Sequence, residues 1–131
     1  MNSENITDEE VYRFILLQID TVPHLEALLI LWRKRPQAFS EQELAEQLFV
    51  DTGVVREITK ALIRADLVRA TDSMPPHYSY ASNSERSDAL MEALASLYSR
   101  ELVNISKLIH SKAPSAARDF ARAFQFTKDR D

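Results

Sequence analysis

The chain contains no cysteine, which excludes a disulfide, a thiolate metal site and a thiol nucleophile and gives no sign of an oxidising compartment. It has a single glycine, Gly53, so there is no glycine-rich loop to cradle the phosphates of a nucleoside triphosphate or a dinucleotide. One glycine against five prolines in 131 residues also implies few sharp turns, which favours a helix-rich architecture. Long apolar runs are missing as well. The longest uninterrupted one, Ala27 to Trp32, is far too short to span a bilayer. The opening residues MNSENITDEE are acidic and polar and do not read as a secretory leader. An excess of positive charge is lacking too: the net charge is −4 and the isoelectric point is near 5.4. These absences point to a cytoplasmic protein without a membrane partner.

What is present is enough apolar material for one core. With 45% hydrophobic residues, a single structural unit is expected, with a head over residues 1–82 and a helical segment over residues 83–131. The informative stretch runs from Ser40 to Tyr80. Ser40 is a good N-cap and Glu43 follows at capping-box spacing; Leu44, Ala45 and Leu48 then mark one buried helical face. Asp51 or Thr52 can cap a second helix, whose apolar stripe is Val55, Ile58 and Leu62, flanked by Ala61 and Ala65. At about 100° per residue, Gly53, Arg56, Glu57, Lys60 and Arg64 share the opposite face. Asp66 stands where the chain leaves the helix, and Asp tolerates the left-handed conformation such exits need. Leu67 to Arg69 and His77 to Ala81 read as two strands around a turn from Thr71 to Pro76. Helix, turn, helix, strand, loop, strand is the order of a winged helix-turn-helix.

The run LAEQLFVDTGVVREITKALIRADLV resembles the helix-turn-helix of MarR-like and related bacterial winged-helix regulators, through Leu44, Ala45, Leu48, Val50, Val55, Leu62, Leu67 and Val68. The resemblance covers about a third of the chain. It implies a mainly α fold: a winged helix-turn-helix with N-terminal helices, a two- or three-stranded wing sheet, a long C-terminal dimerisation helix and a short tail helix. Two positions depart from the pattern. Phe49 and Asp66 stand where such regulators carry glycine, and the first departure suggests an altered turn with an extra buried ring.

Charge opposes the obvious function. Residues 40–82 hold four Lys/Arg against seven Asp/Glu, net −3, the wrong sign for a head bound mainly through phosphates. Arg56, Lys60 and Arg64 nevertheless line one side of the second helix, a row that suits either DNA or plain solvation.

Before the head, Thr7 or Asp8 can cap a helix through Ile19 that buries Val11, Phe14, Ile15 and Ile19. Pro23 suits the first turn of the next helix, which ends in Arg33, Lys34 and Arg35, cations that complement a helix C-terminus or meet a phosphate. Trp32 is expected in the core. After the wing, one helix is expected from Ser84 to Ser111, about 40 Å long at 1.5 Å per residue, with Met91, Leu94, Tyr98, Leu102, Ile105 and Ile109 as its stripe. That stripe either makes a homodimer, as the resemblance implies, or folds back across the helix that follows Pro23. Beyond Pro114, Ala116, Ala117, Phe120, Ala121 and Phe124 recur at helical spacing; such a short helix must dock, on its own dimer or in a partner's groove.

His24, His77 and His110 are scattered, without a carboxylate or cysteine grouping at ligand spacing, and no pair of acids is arranged for acid–base work. The expectation is therefore a protein that is not an enzyme and holds no metal or cofactor. It is either a dimeric DNA-binding regulator or a winged-helix module that acts on a protein partner. In the first case Thr52, Arg56 and Lys60 read bases, with Glu57 accepting from a cytosine or restraining its neighbours, and Arg64, Arg69 and His77 contact the backbone.

Overall fold

Residues 5–111 are described by the computed structural model. The order is α1 (Asp8–Gln18), α2 (Val22–Arg33), β1 (Phe39–Ser40), α3 (Glu41–Leu48), α4 (Thr52–Arg64), β2 (Val68–Ala70), β3 (His77–Tyr80) and α5 (Glu85–Arg100). A further helix, α6, is entered at residue 102 and continues to the last described residue, 111. The tail helix expected after Pro114 lies outside the described residues.

Side-chain caps set most helix starts. Thr7 with Glu10, Ser40 with Glu43 and Ser84 with Ser87 form reciprocal capping pairs that satisfy the first free N–H groups of α1, α3 and α5, and Thr21 caps α2 with Pro23 in its first turn. The second helix of the motif differs. Asp51 occupies the N-cap of α4 but its side chain makes no capping bond. At the other end of α2 one cation of the basic run caps: the Arg35 guanidinium donates to the Trp32 carbonyl and lies 3.4 Å from the Trp32 ring centroid.

The two positions where glycine was expected both adopt positive φ, Phe49 at 58° and Asp66 at 62°. Asp66 behaves as its side chain allows, and the Asn83 amide donates to its carbonyl. Phe49 corrects the expectation of an extra buried ring. It forms the left-handed exit of α3 with 92% of its surface exposed, so the backbone turn is that of a glycine while the ring projects into solvent. An L-residue there costs about 1–2 kcal/mol. Phe49→Gly should therefore raise stability by roughly 1 kcal/mol despite glycine's greater unfolded entropy, seen as a higher melting temperature. A lower one would show that the ring is held by packing.

Three strands form a small antiparallel sheet in the order β1-β3-β2. Phe39 pairs with Tyr78, and Val68, Arg69 and Ala70 pair with Tyr80, Ser79 and Tyr78. The loop between β2 and β3 is closed by Thr71, whose N–H reaches the His77 carbonyl at 2.8 Å and whose Oγ1 accepts from the His77 N–H at 2.9 Å. Behind the sheet, Ile15, Leu25, Leu28, Leu31, Leu44, Ile58 and Leu62 are fully buried in one continuous core. Trp32 fills the gap between α2 and the sheet, edge-on to Tyr80 with ring centroids 5.1 Å apart. Tyr80 in turn donates to Asp88 Oδ1 at 2.8 Å, and Ser82 donates to the other oxygen at 2.7 Å, which pins the sheet to α5.

Burial first, and then the Asp88 bond, raise the Tyr80 phenol well above the usual tyrosine value. The folded state thus favours the neutral phenol: its contribution is complete below the unfolded value of about 10 and is lost as pH climbs above it. The denaturation midpoint of the native protein should fall more between pH 8 and pH 11 than that of Tyr80→Phe. Equal falls would rule out this linkage.

The C-terminal half corrects two expectations. The expected single helix is interrupted at Glu101, whose φ of −125° and ψ of 38° end α5 before α6 begins. The expected dimer stripe also lies mostly inside the chain's own core. Leu94, Ile105 and Ile109 are 0% exposed and Met91 is 1% exposed, while Tyr98 is half-buried and donates to Glu26 of α2 at 3.2 Å. Arg86 to Glu10 at 2.6 Å and Arg100 to Asp8 at 3.9 Å tie α5 to α1. α5 packs on α1 and α2, and Ile105 and Ile109 beyond the break at Glu101 belong to the same core cluster. Of the six expected residues only Leu102 remains strongly exposed, at 49%.

Candidate nucleic-acid interface

The packing of α3 against α4 fixes which face of α4 looks outward. Val55, Ile58, Thr59 and Leu62 are buried against α2 and α3, so Gly53, Arg56, Glu57, Lys60 and Arg64 are all exposed, as the helical spacing predicts. Thr59 is the polar exception on the inner face, and its hydroxyl is satisfied by the Arg56 carbonyl at 3.1 Å. Gly53 has open space where a Cβ would stand; nothing in the fold itself requires glycine there, and the backbone at that point is open to close approach.

The cations on this face differ in how they are held. Arg56 reaches across to α3 and donates from Nε and Nη2 to the two oxygens of Glu41, each at 3.0 Å. The Glu41 bond, and then its charge, push the already high Arg56 pKa further up. Lys60 lies 4.0 Å from Glu57 one turn earlier, with both side chains mostly in solvent, a pairing of little energetic weight. Arg64 has no ion-pair partner among the described residues. Glu57 thus lies beside Lys60 without holding it, while the partner of Arg56 is Glu41.

Thr52 opens α4 and is half-buried. Arg69 is exposed on β2. His77 is occupied within the loop it was expected to offer to a backbone: its N–H is bonded to Thr71, and ring Nδ1 lies 3.2 Å from the Pro75 carbonyl. The geometry therefore brings Thr52, Arg56, Glu57, Lys60 and Arg64 together along one helix, leaves Arg69 on the neighbouring strand, and draws His77 into the closure of the loop. The tip of that loop carries Met74, 89% exposed, beside Pro75 and Pro76.

Sequence reasoning missed Glu41 as a member of this site. It lies fifteen residues before Arg56 on a different helix, and no single-helix periodicity links the two. The remaining signal was that a turn as short as 49–51 packs the start of one helix beside the middle of the next.

No group of three or more His, Asp or Glu side chains that could hold a metal occurs among the described residues. No single helix among them is long and apolar enough to cross a membrane.

No family model matches the sequence and no curated protein matches it significantly; its likenesses are structural. MepR, a transcription regulator of the Staphylococcus aureus multidrug efflux pump MepA, superposes with a TM-score of 0.53 at 13% identity over 91% of this chain and 88% of that one. A MarR family protein from Bacillus stearothermophilus gives 0.51 at 15% identity over 93% of this chain and 82% of that one. The adhesin competence repressor AdcR of Streptococcus pyogenes gives 0.50 at 17% identity over 89% of this chain and 91% of that one. The fold is the winged helix of the MarR transcription regulators, with the helix-turn-helix in α3 and α4 and the wing in β2 and β3.

Proposed function

We propose that this protein is a cytoplasmic DNA-binding transcriptional regulator that acts as a homodimer and places α4 in the major groove, with the wing beside the backbone. The observation that carries the reading is the outer face of α4: inside a fold shared with transcription regulators, it presents Arg56, Lys60 and Arg64 in a row with the lone glycine at its leading end. Thr52, Arg56 and Lys60 are the base-readers, and Arg64 and Arg69 are the phosphate contacts. Homodimerisation draws on apolar side chains that the fold leaves in solvent, Leu17 at 72%, Leu102 at 49% and Val103 at 64% exposed, because the stripe of α5 is already covered. Gel retardation of fragments of the source genome at low salt tests the reading. Selective retention of a few fragments is expected, and none retained at any protein concentration would refute it.

A second reading, a winged-helix module that regulates a protein partner, is favoured by one specific observation. Two of the most exposed apolar side chains, Phe49 and Met74, stand on the turn and on the wing, within a segment of net charge −3. Large exposed apolar groups beside acidic ones suit a protein surface better than a phosphate backbone.

A further inference from the structure

We propose that Glu41 is the positioning residue of this interface: it holds Arg56 so that the outer edge of its guanidinium is a preformed reader of guanine. The inference rests on the DNA-binding reading above and adds to it a determinant of specificity that lies on α3 rather than on α4.

A guanidinium has five N–H donors in one rigid plane. Glu41 takes one from Nε and one from Nη2, both at 3.0 Å. Three remain: one on Nη2 and one on Nη1 form the end-on edge, next to the edge that Glu41 occupies, and the second Nη1 hydrogen points to the Cδ side. The end-on edge is the pair of parallel donors that matches the O6 and N7 acceptors of guanine in the major groove. The bidentate fork also fixes the plane of the group, because both oxygens of one carboxylate must be met at once.

The support is firmer than the supported group. The Glu41 side chain is 24% exposed against 55% for Arg56. Glu41 sits in the first turn of α3, where the Ser40–Glu43 capping box holds the backbone and Leu44 and Ala45 anchor the helix in the core. A long flexible side chain docked on a base loses rotamer freedom; for Arg56 that loss is already taken in the free protein. The other two cations on the face lack such an arrangement. Lys60 is loosely paired at 4.0 Å, so its ammonium is not held in one orientation before it meets a base, and Arg64 has no ion-pair partner among the described residues, which suits a point contact to a phosphate.

The rival explanation is that Glu41 merely subtracts a charge from the face. The two differ in the specificity ratio, the affinity for a selected duplex over that for a random one. Glu41→Gln keeps the size of the side chain but loses the charge and the second acceptor. Positioning predicts that the ratio falls about tenfold, at the same base pair that Arg56→Ala relaxes, and that the Glu41→Gln/Arg56→Ala double variant is no less specific than Arg56→Ala alone. It also predicts that the Arg56 Nε–H signal in the DNA-free protein is as ordered as the backbone by ¹⁵N relaxation and becomes mobile in Glu41→Gln. Charge subtraction predicts that affinity for both duplexes rises together and the ratio stays. An unchanged ratio, with the wild type still binding, overturns the role of Glu41 alone. A wild type that binds no duplex overturns it together with the DNA reading.

Discussion

Leu94→Glu is expected to unfold the protein. Leu94 is 0% exposed and belongs to one continuous core with Met91, Leu97, Ile105 and residues of α1 and α2. A carboxylate placed there loses its hydration and gains no partner, and the lost packing adds to the cost. Together these amount to about 4–5 kcal/mol or more, set against a total stability on the order of 5–15 kcal/mol for a domain. The expected readout is loss of the near-ultraviolet circular dichroism and of a cooperative melt. Leu102→Glu is the control: with Leu102 at 49% exposure, it should melt like the native protein while weakening any dimer. A Leu94→Glu protein that keeps the native melt and merely halves its mass in light scattering would show that α5 is a seam between subunits after all.

The second large effect concerns the outer face of α4. Replacing Arg56, Lys60 and Arg64 together with alanine removes two base-readers and one phosphate contact from a head that is already acidic. Arg56 alone should cost about 1–3 kcal/mol in discrimination, and each lost cation in contact with a phosphate should lower the salt slope by about one. The triple variant should therefore lose about 10³-fold or more in affinity for a selected duplex at moderate salt. The fold should survive, because all three side chains are exposed and the surface ion pairs of Arg56 and Lys60 orient side chains while adding little to global stability. Undiminished binding by the triple variant would move the interface off α4 altogether.

The helix-turn-helix was legible because its signals are local. The Ser40–Glu43 cap lies within three residues, apolar stripes repeat within one helix, and the Asp66 exit announces itself by residue type; each of these appears in the structure where the spacing put it. The same locality explains the errors. Phe49 in place of glycine suggests an altered turn with an extra buried ring, yet the backbone keeps the left-handed conformation and the ring is exposed. The run from Ser84 to Ser111 has unbroken helical periodicity, and neither glycine nor proline marks the break at Glu101. Leu97 before the break and Ile105 and Ile109 after it share one buried core, a tertiary arrangement with no local signature. Asp51 has the chemistry of a cap without making the bond. On the candidate site, the face of α4 followed from helical geometry alone. The Glu41 clamp on Arg56 and the enclosure of His77 by Thr71 and Pro75 depend on how separate elements meet.

Hydroxyl-radical footprinting on a genome fragment retained at low salt tests the central claim most directly, because groove, symmetry and spacing are read in one experiment. Two copies of α4 in successive major grooves should protect two equivalent patches centred about one helical turn, roughly 34 Å, apart, and Arg56→Ala should blur the sequence preference within both. A fragment that shows no protected patch, or protection that does not depend on Arg56, Lys60 and Arg64, would contradict the account.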